Sequence, residues 1–206
     1  MFFTVIGVFF LNSGCSNSGK KQTESFNTAT DFKYVGSDKC KTCHSNEFVQ
    51  WQSSHHFKAM QAANETTVAG DFNDKAYSAD GITSHFFKKG DYFYINTQGD
   101  DGKYYDYKID YTFGVFPLQQ YLVNFPGGKY QVTRQSWDTK NNKWFHQYKG
   151  DKIPPGDWLH WTGNAQNWNT MCAYCHSTNV QKNYNDESDS YQTTFSEPMV
   201  SCESCH

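Results

Sequence analysis

Hydrophobic and polar positions change their pattern several times along this 206-residue chain. Residues 34–64 include apolar and histidine positions at intervals of three and four, which predicts one face of a helix. These positions are Phe48, Trp51, His55 and Ala59. Residues 64–81 are rich in turn-forming side chains and predict a linker. We therefore expect a first segment at 34–64, with a helix after His44 that ends around Asn64, followed by a linker.

Residues 82–150 alternate between apolar and polar positions and are rich in aromatic side chains, as β-strands are. Strands are predicted within 86–95 on both sides of a Lys-Gly turn, and at 102–111, 130–137 and 143–148. The polar residues between the last two strands predict a hairpin. Pro154, Pro155 and Gly156 end this β-rich insert, so that 151–206 forms the last segment.

The N-terminus has the pattern of an export signal. Residues 1–11 are apolar, too few to span a membrane as a helix but typical of the core of a signal peptide. Small residues then precede Cys15, as in bacterial lipoprotein signals, where this cysteine is lipidated. We expect 1–15 to be such a signal, with a plain secretory signal as the alternative. The polar residues 16–33 predict a flexible tether.

Composition adds one question about the core. Only 37% of the residues are hydrophobic, although 18% are aromatic, and globular chains usually have more apolar residues. Either part of the chain is disordered, or something outside the sequence completes the core. The net charge of −3 does not indicate a basic surface that would bind nucleic acid. Arg134 is the sole arginine, and we expect it at the surface or in a structural role. The alternative is that its guanidinium binds a propionate group of a bound cofactor.

One five-residue pattern, C-x-x-C-H, occurs three times. It comprises Cys40, Cys43 and His44; Cys172, Cys175 and His176; and Cys202, Cys205 and His206. This spacing lets two thiols form thioethers to the vinyl groups of one haem, while the following imidazole ligates its iron. The pattern therefore predicts three covalently attached c-type haems with His44, His176 and His206 as proximal ligands.

Two other interpretations of the cysteines compete with haem. The pairs at 172/175 and 202/205 could form a zinc ribbon, although their separation is longer than usual and the pair at 40/43 stays unexplained. A thioredoxin-like site needs a single C-x-x-C in a βαβ context, which the pattern does not show.

The haem prediction decides the predicted fold class. Haems are large and apolar, so an aromatic-rich chain can pack around them. We expect an α+β protein with little regular structure, whose haem-packed core consists of short helices and loops and which carries an aromatic-rich antiparallel β insert.

Five histidines remain after the three motifs, and some of them are candidate distal ligands. His55 and His56 follow the first motif by a short helix, and helical phase slightly favours His55. His146 and His160 lie among aromatic residues before the second motif, so each is a candidate ligand or a core histidine. His85 is expected to be structural or exposed.

Residues around these motifs resemble multihaem c-type cytochromes, such as the tetrahaem cytochrome partner of hydroxylamine oxidoreductase. Residues 34–44 with Trp51 and the Ser54-His55-His56 stretch resemble the first haem segment of that family, and the resemblance makes His56 a haem ligand. Residues 111–128, 153–163 and 167–179 resemble exported multihaem proteins that often carry tetratricopeptide repeats. Because family members continue beyond the last motif, we expect the chain that ends here at His206 to be a C-terminally truncated member.

Three functions fit these observations. The first is an exported electron carrier that serves redox partner proteins in the periplasm or at the outer surface. The second is an oxidoreductase with one open haem iron that acts on small nitrogen or sulfur compounds. The third is an assembly subunit. Whether every iron has a sixth ligand distinguishes the first two.

Overall fold

Strands account for most of the regular structure in the computed structural model, which describes residues 33–206. Strands make up 36% and helices 17%, so the predicted fold class is wrong. The elements in chain order are α1 Ser37–Cys40, α2 Ser45–Ser53, β1 Met60–Ala62, β2 Lys75–Ala79, β3 Ile82–Lys89, β4 Tyr92–Gln98, β5 Tyr104–Phe113, β6 Leu118–Phe125, β7 Lys129–Val132, β8 Gln135–Asp138, β9 Lys143–His146, α3 Trp168–Met171, α4 Ala173–His176, β10 Tyr184–Asn185 and β11 Ser190–Tyr191. Short 3₁₀ turns lie at Pro126–Gly128, Asn164–Gln166 and Cys202–Ser204.

Nine of these strands form one antiparallel sheet in the order β2-β3-β4-β5-β6-β8-β9, with β1 beside β5 and β7 beside β6. The sheet curls into a nearly closed, barrel-like form. Its two ends meet where the His146 N–H of β9 donates to the Tyr77 hydroxyl of β2 at 3.2 Å. The sheet is therefore the body of the protein rather than an insert.

The two predicted hairpins are confirmed. Strands β3 and β4 pair up to Lys89 and Tyr92, on either side of Gly90. Strands β8 and β9 pair up to Asp138 and Lys143. The Asp138 carboxylate accepts backbone N–H groups from Lys140 and Asn141 at 3.0 and 2.9 Å, which closes the turn.

The core explains why the fold class was wrong. The sheet fills its own interior with buried side chains that are mostly aromatic: Phe72, Phe86, Phe93, Ile95, Ile109, Tyr121, Val123, Trp137, Trp144 and Trp161. The Trp144 ring stacks on Phe86 with a centroid distance of 3.6 Å. A small number of large rings supplies the buried apolar area that the low hydrophobic fraction suggested was missing.

The predicted first helix is also too long. The observed helix α2 ends at Ser53, whereas the predicted helix continues towards Asn64. The Ser53 and Ser54 hydroxyls donate to the carbonyls of Gln50 and Trp51, at 2.7 and 2.6 Å, and such bonds compete with the helical ladder. The chain then enters the sheet as β1, which pairs with β5.

Some sequence predictions fall outside the described residues. The signal sequence with Cys15, and all but the last residue of the tether, belong to this part. Among residues 33–206, no helix has the length and apolar character needed to cross a membrane.

Candidate functional site

Each C-x-x-C-H motif forms one turn of helix. In the first, the N–H groups of Cys43 and His44 donate to the Cys40 carbonyl at 3.2 and 2.9 Å. The other two motifs bend in the same way, with Cys175 N–H bonded to Cys172 and Cys205 N–H bonded to Cys202. Residues separated by three and four positions share one face of such a turn. Two thiols and an imidazole are thus presented together, as haem attachment requires.

The first and third motifs open into the same cavity, although they are about 160 residues apart in sequence. This shared cavity has a volume of about 630 Å³, which lies within the range of ligand and cofactor clefts. Its lining consists of residues of the two motifs, carboxylates and apolar side chains: Cys40, His44, Glu47, Phe48, Trp51, His56, Val200, Ser201, Cys202, Glu203, Cys205 and His206. Of the four candidate distal histidines, His56 is the one on this list.

Several hydrogen bonds hold the two motifs next to each other. The Glu203 carboxylate accepts the N–H groups of Val35 and Gly36, both at 2.8 Å. The Trp51 indole N–H donates to the Val200 carbonyl at 2.8 Å. Burial raises the pKa of the Cys40 thiol, and the neighbouring Cys202 raises it further. The role of Glu203 is not predictable from the sequence, because its position inside C-x-x-C-H has no required residue type.

The second motif lies elsewhere, against the sheet. It follows α3, whose first turn is capped by the Asn167 side chain, which accepts the Thr170 N–H at 3.1 Å. Burial raises the pKa of the Cys172 thiol to about 11. This cysteine packs against the core cluster that joins the motif to strands β1, β6 and β7.

His176 in this motif has the properties of a metal ligand. Its ring lies against Phe113 with a centroid distance of 4.2 Å. Its Nδ1 is buried and makes no hydrogen bond of normal geometry, although the Ala59 backbone lies beside it. Burial lowers the pKa of His176, which favours the neutral imidazole that ligates metals. The residues of the motif therefore fit a haem.

The adjacent histidines His55 and His56 face different surroundings. His56 lines the shared cavity of the first and third motifs. The His55 ring instead lies 6.1 Å from the ring of Phe116, three residues after the Phe113 that contacts His176. Both histidines are exposed.

The structure places His146 and His160 together, in a small pocket beside Arg134 and apart from the shared cavity. Both are buried, and burial lowers the pKa of each. The ring nitrogens of His146 face two donors, the Arg134 side chain and the Tyr148 N–H. His85 lies on β3, where its ring stacks on Phe87.

The protein thus has three C-x-x-C-H turns, and two of them open into a shared cavity of the size of a cofactor cleft. These features define a c-type cytochrome. A family model described as cytochrome c554 and c-prime matches residues 39–87 and 125–206, and the chain belongs to this family. Membership of this family means that the chain binds haem covalently. It also decides between haem and the zinc and thioredoxin interpretations of the cysteines.

One solved structure shares the fold, the outer cell wall cytochrome OcwA. It is 21% identical in sequence, with a TM-score of 0.52 over 84% of this chain. The match spans 31% of that protein, so this chain corresponds to about a third of its length. A search among curated proteins finds no match.

Proposed function

We propose that this chain is an exported electron-transfer module that carries three haems, attached at Cys40 and Cys43, at Cys172 and Cys175, and at Cys202 and Cys205. His44, His176 and His206 are the proximal ligands. The observation that carries the proposal is the shared cavity, into which two of the three attachment turns open. When bound, each haem supplies an iron that takes up and returns one electron.

The two adjacent histidines serve different motifs in this proposal. His56 ligates an iron in the shared cavity, because it lines that cavity together with His44 and His206. His55 ligates the iron at the second motif, because Phe116 beside it belongs to the same turn region as the Phe113 that contacts His176. Neither ring nitrogen of His146 is free of a neighbouring donor, so we do not propose it as a ligand.

The proposed location is the periplasm or the outer surface, where redox partner proteins are within reach. A signal sequence at 1–15 with a lipid on Cys15 is part of the proposal. Haem attachment itself supports export, since c-type haem is attached outside the bacterial inner membrane.

The first test is a haem count and an optical spectrum of the holoprotein. We expect a pyridine haemochrome assay to give three haems per chain, all low-spin and none able to bind carbon monoxide when reduced. A haem that binds carbon monoxide would contradict the carrier and favour an oxidoreductase with an open iron.

The ligand assignment is tested with His56→Ala. Loss of this imidazole should convert one haem from low-spin to high-spin, because the iron loses its sixth ligand. His85→Ala is the matched control, since His85 lies on β3 and should leave the spectrum unchanged. A low-spin spectrum for all haems in the His56 variant would refute the assignment.

A further inference from the structure

A second, smaller cavity lies between the end of β9 and the loop before the second motif. We call it the Arg134 pocket, and its lining includes Thr133, Arg134, His146, Tyr148, Leu159 and His160. Its volume is about 20 Å³. A cavity needs roughly 10–15 Å³ to hold one water molecule, so the pocket accepts a water or a compact ion but no larger ligand.

Arg134 supplies a positive charge that has no carboxylate at ion-pair distance within residues 33–206. Its side chain is half-buried, and its Nε lies against the Nε2 of His146. The charge of Asp80 acts on Arg134 from beyond that distance, so its positive charge is only partly compensated. A partly desolvated charge without a partner is costly, and an anion beside it offsets this cost.

His160 adds a hydrogen-bond donor to the same pocket. The residue is 1% exposed, and its Nε2 is buried without a hydrogen-bond partner. Its Nδ1 faces the Thr162 hydroxyl at 2.7 Å and the Thr162 backbone N–H at 3.4 Å. Because a backbone N–H can only donate, Nδ1 is the acceptor, and the proton of the neutral ring lies on Nε2. An Nε2 that carries a proton has no lone pair for iron.

We propose that the Arg134 pocket binds one small inorganic anion, of the size of a halide. The guanidinium of Arg134 and the Nε2–H of His160 are its two donors. A site built from a half-buried guanidinium and a buried imidazole N–H binds anions through charge-assisted hydrogen bonds. The site is independent of the proposed electron transfer, because none of its lining residues belongs to a C-x-x-C-H motif.

The direct test is anomalous diffraction from holoprotein crystals soaked in bromide. We expect a bromide peak within hydrogen-bond distance of both Arg134 and His160 Nε2. Calorimetry with bromide then measures the affinity in solution. Arg134→Gln should weaken binding at least about tenfold, because a hydrogen bond to a charged group is lost. Lys152→Gln is the matched control, since it removes one exposed positive charge outside the pocket.

Three results would overturn the proposal. One is a pocket that holds only water in saturating bromide. Another is equal bromide affinity for the wild-type protein and Arg134→Gln, which would mean an adventitious ion only. The third is a low-spin haem that becomes high-spin in His160→Gln, which would make His160 an iron ligand. The haem count is measured in parallel, so that failure of haem attachment is distinguished from failure of anion binding.

Discussion

Glu203 shows how much one residue contributes to the arrangement of the motifs. It lies between the two cysteines of the third motif, and its carboxylate binds two consecutive backbone N–H groups just before the first motif. Such charge-assisted bonds are stronger than those between neutral groups. The mutual position of the two motifs therefore depends on a side chain that haem attachment itself does not require.

Glu203→Gln tests this role. An amide offers one oxygen in place of two, so we expect the bonds to Val35 and Gly36 to weaken by about 1–2 kcal/mol. Hydrogen exchange should then show faster exchange of the Gly36 amide, by roughly 5–30-fold. Glu187→Gln removes an exposed carboxylate that has no hydrogen-bond partner in the structure and serves as the control. Unchanged exchange at Gly36 would mean that the carboxylate does not hold the segment.

At the scale of elements, one glycine turn positions the helix before the second motif. The turn at Pro126–Gly128 packs against β11, and the Gly128 carbonyl accepts the Asn169 side-chain N–H at 3.1 Å. The same Asn169 accepts the Tyr130 N–H at 2.8 Å. Gly128 has a φ of +69°, and a Cβ there would overlap the Tyr191 carbonyl. Both the backbone conformation and the close approach therefore require glycine.

Gly128→Ala should destabilise the protein by at least about 2 kcal/mol, since left-handed strain and overpacking add together. Gly90→Ala is the matched control, because Gly90 also has a positive φ, of +58°, but open space around it. We expect about 1 kcal/mol for that change, from strain alone. Denaturant unfolding of both holoprotein variants measures the difference, and equal losses would contradict the predicted overlap.

For the whole molecule, the sheet and the second motif share one hydrophobic core. Met60, Leu122 and Val132 of the sheet pack with Trp168 and Ala173 around the motif. Trp168 and Ala173 are fully buried, at 0% exposure. Elements that share a core unfold together in small domains, so the haem segment and the sheet form one cooperative unit.

This cooperativity predicts a single thermal transition. Far-ultraviolet circular dichroism, which follows the strands, and the haem Soret band should change at the same temperature. Trp168→Leu should lower both midpoints together, because the cavity it leaves lies between sheet and motif. Phe87→Leu removes a ring that stacks on Tyr94 on the outer face of β3, and it should lower both midpoints by less. Two separate transitions would show that the motif is held by its haem alone.

Local patterns in the sequence determined the attachment chemistry and the hairpins. A C-x-x-C-H turn depends on residues within one helical turn, and the β8–β9 hairpin depends on its strands and on Asp138, so a short stretch carries the full signal. The end of α2 at Ser53 was not predictable in this way, because the pairing of β1 with β5 competes with a helical pattern that continues to Ala59.

The contacts between residues that are distant in sequence were decided only by the tertiary structure. Packing brings the motif at 40–44 to the one at 202–206, directs His55 and His56 to different surroundings, and places Arg134 beside His160. The region predicted as a β-rich insert is a nearly closed sheet with its own aromatic core. The physical reason is that such contacts depend on how the whole sheet curls, and no short stretch of sequence carries that information.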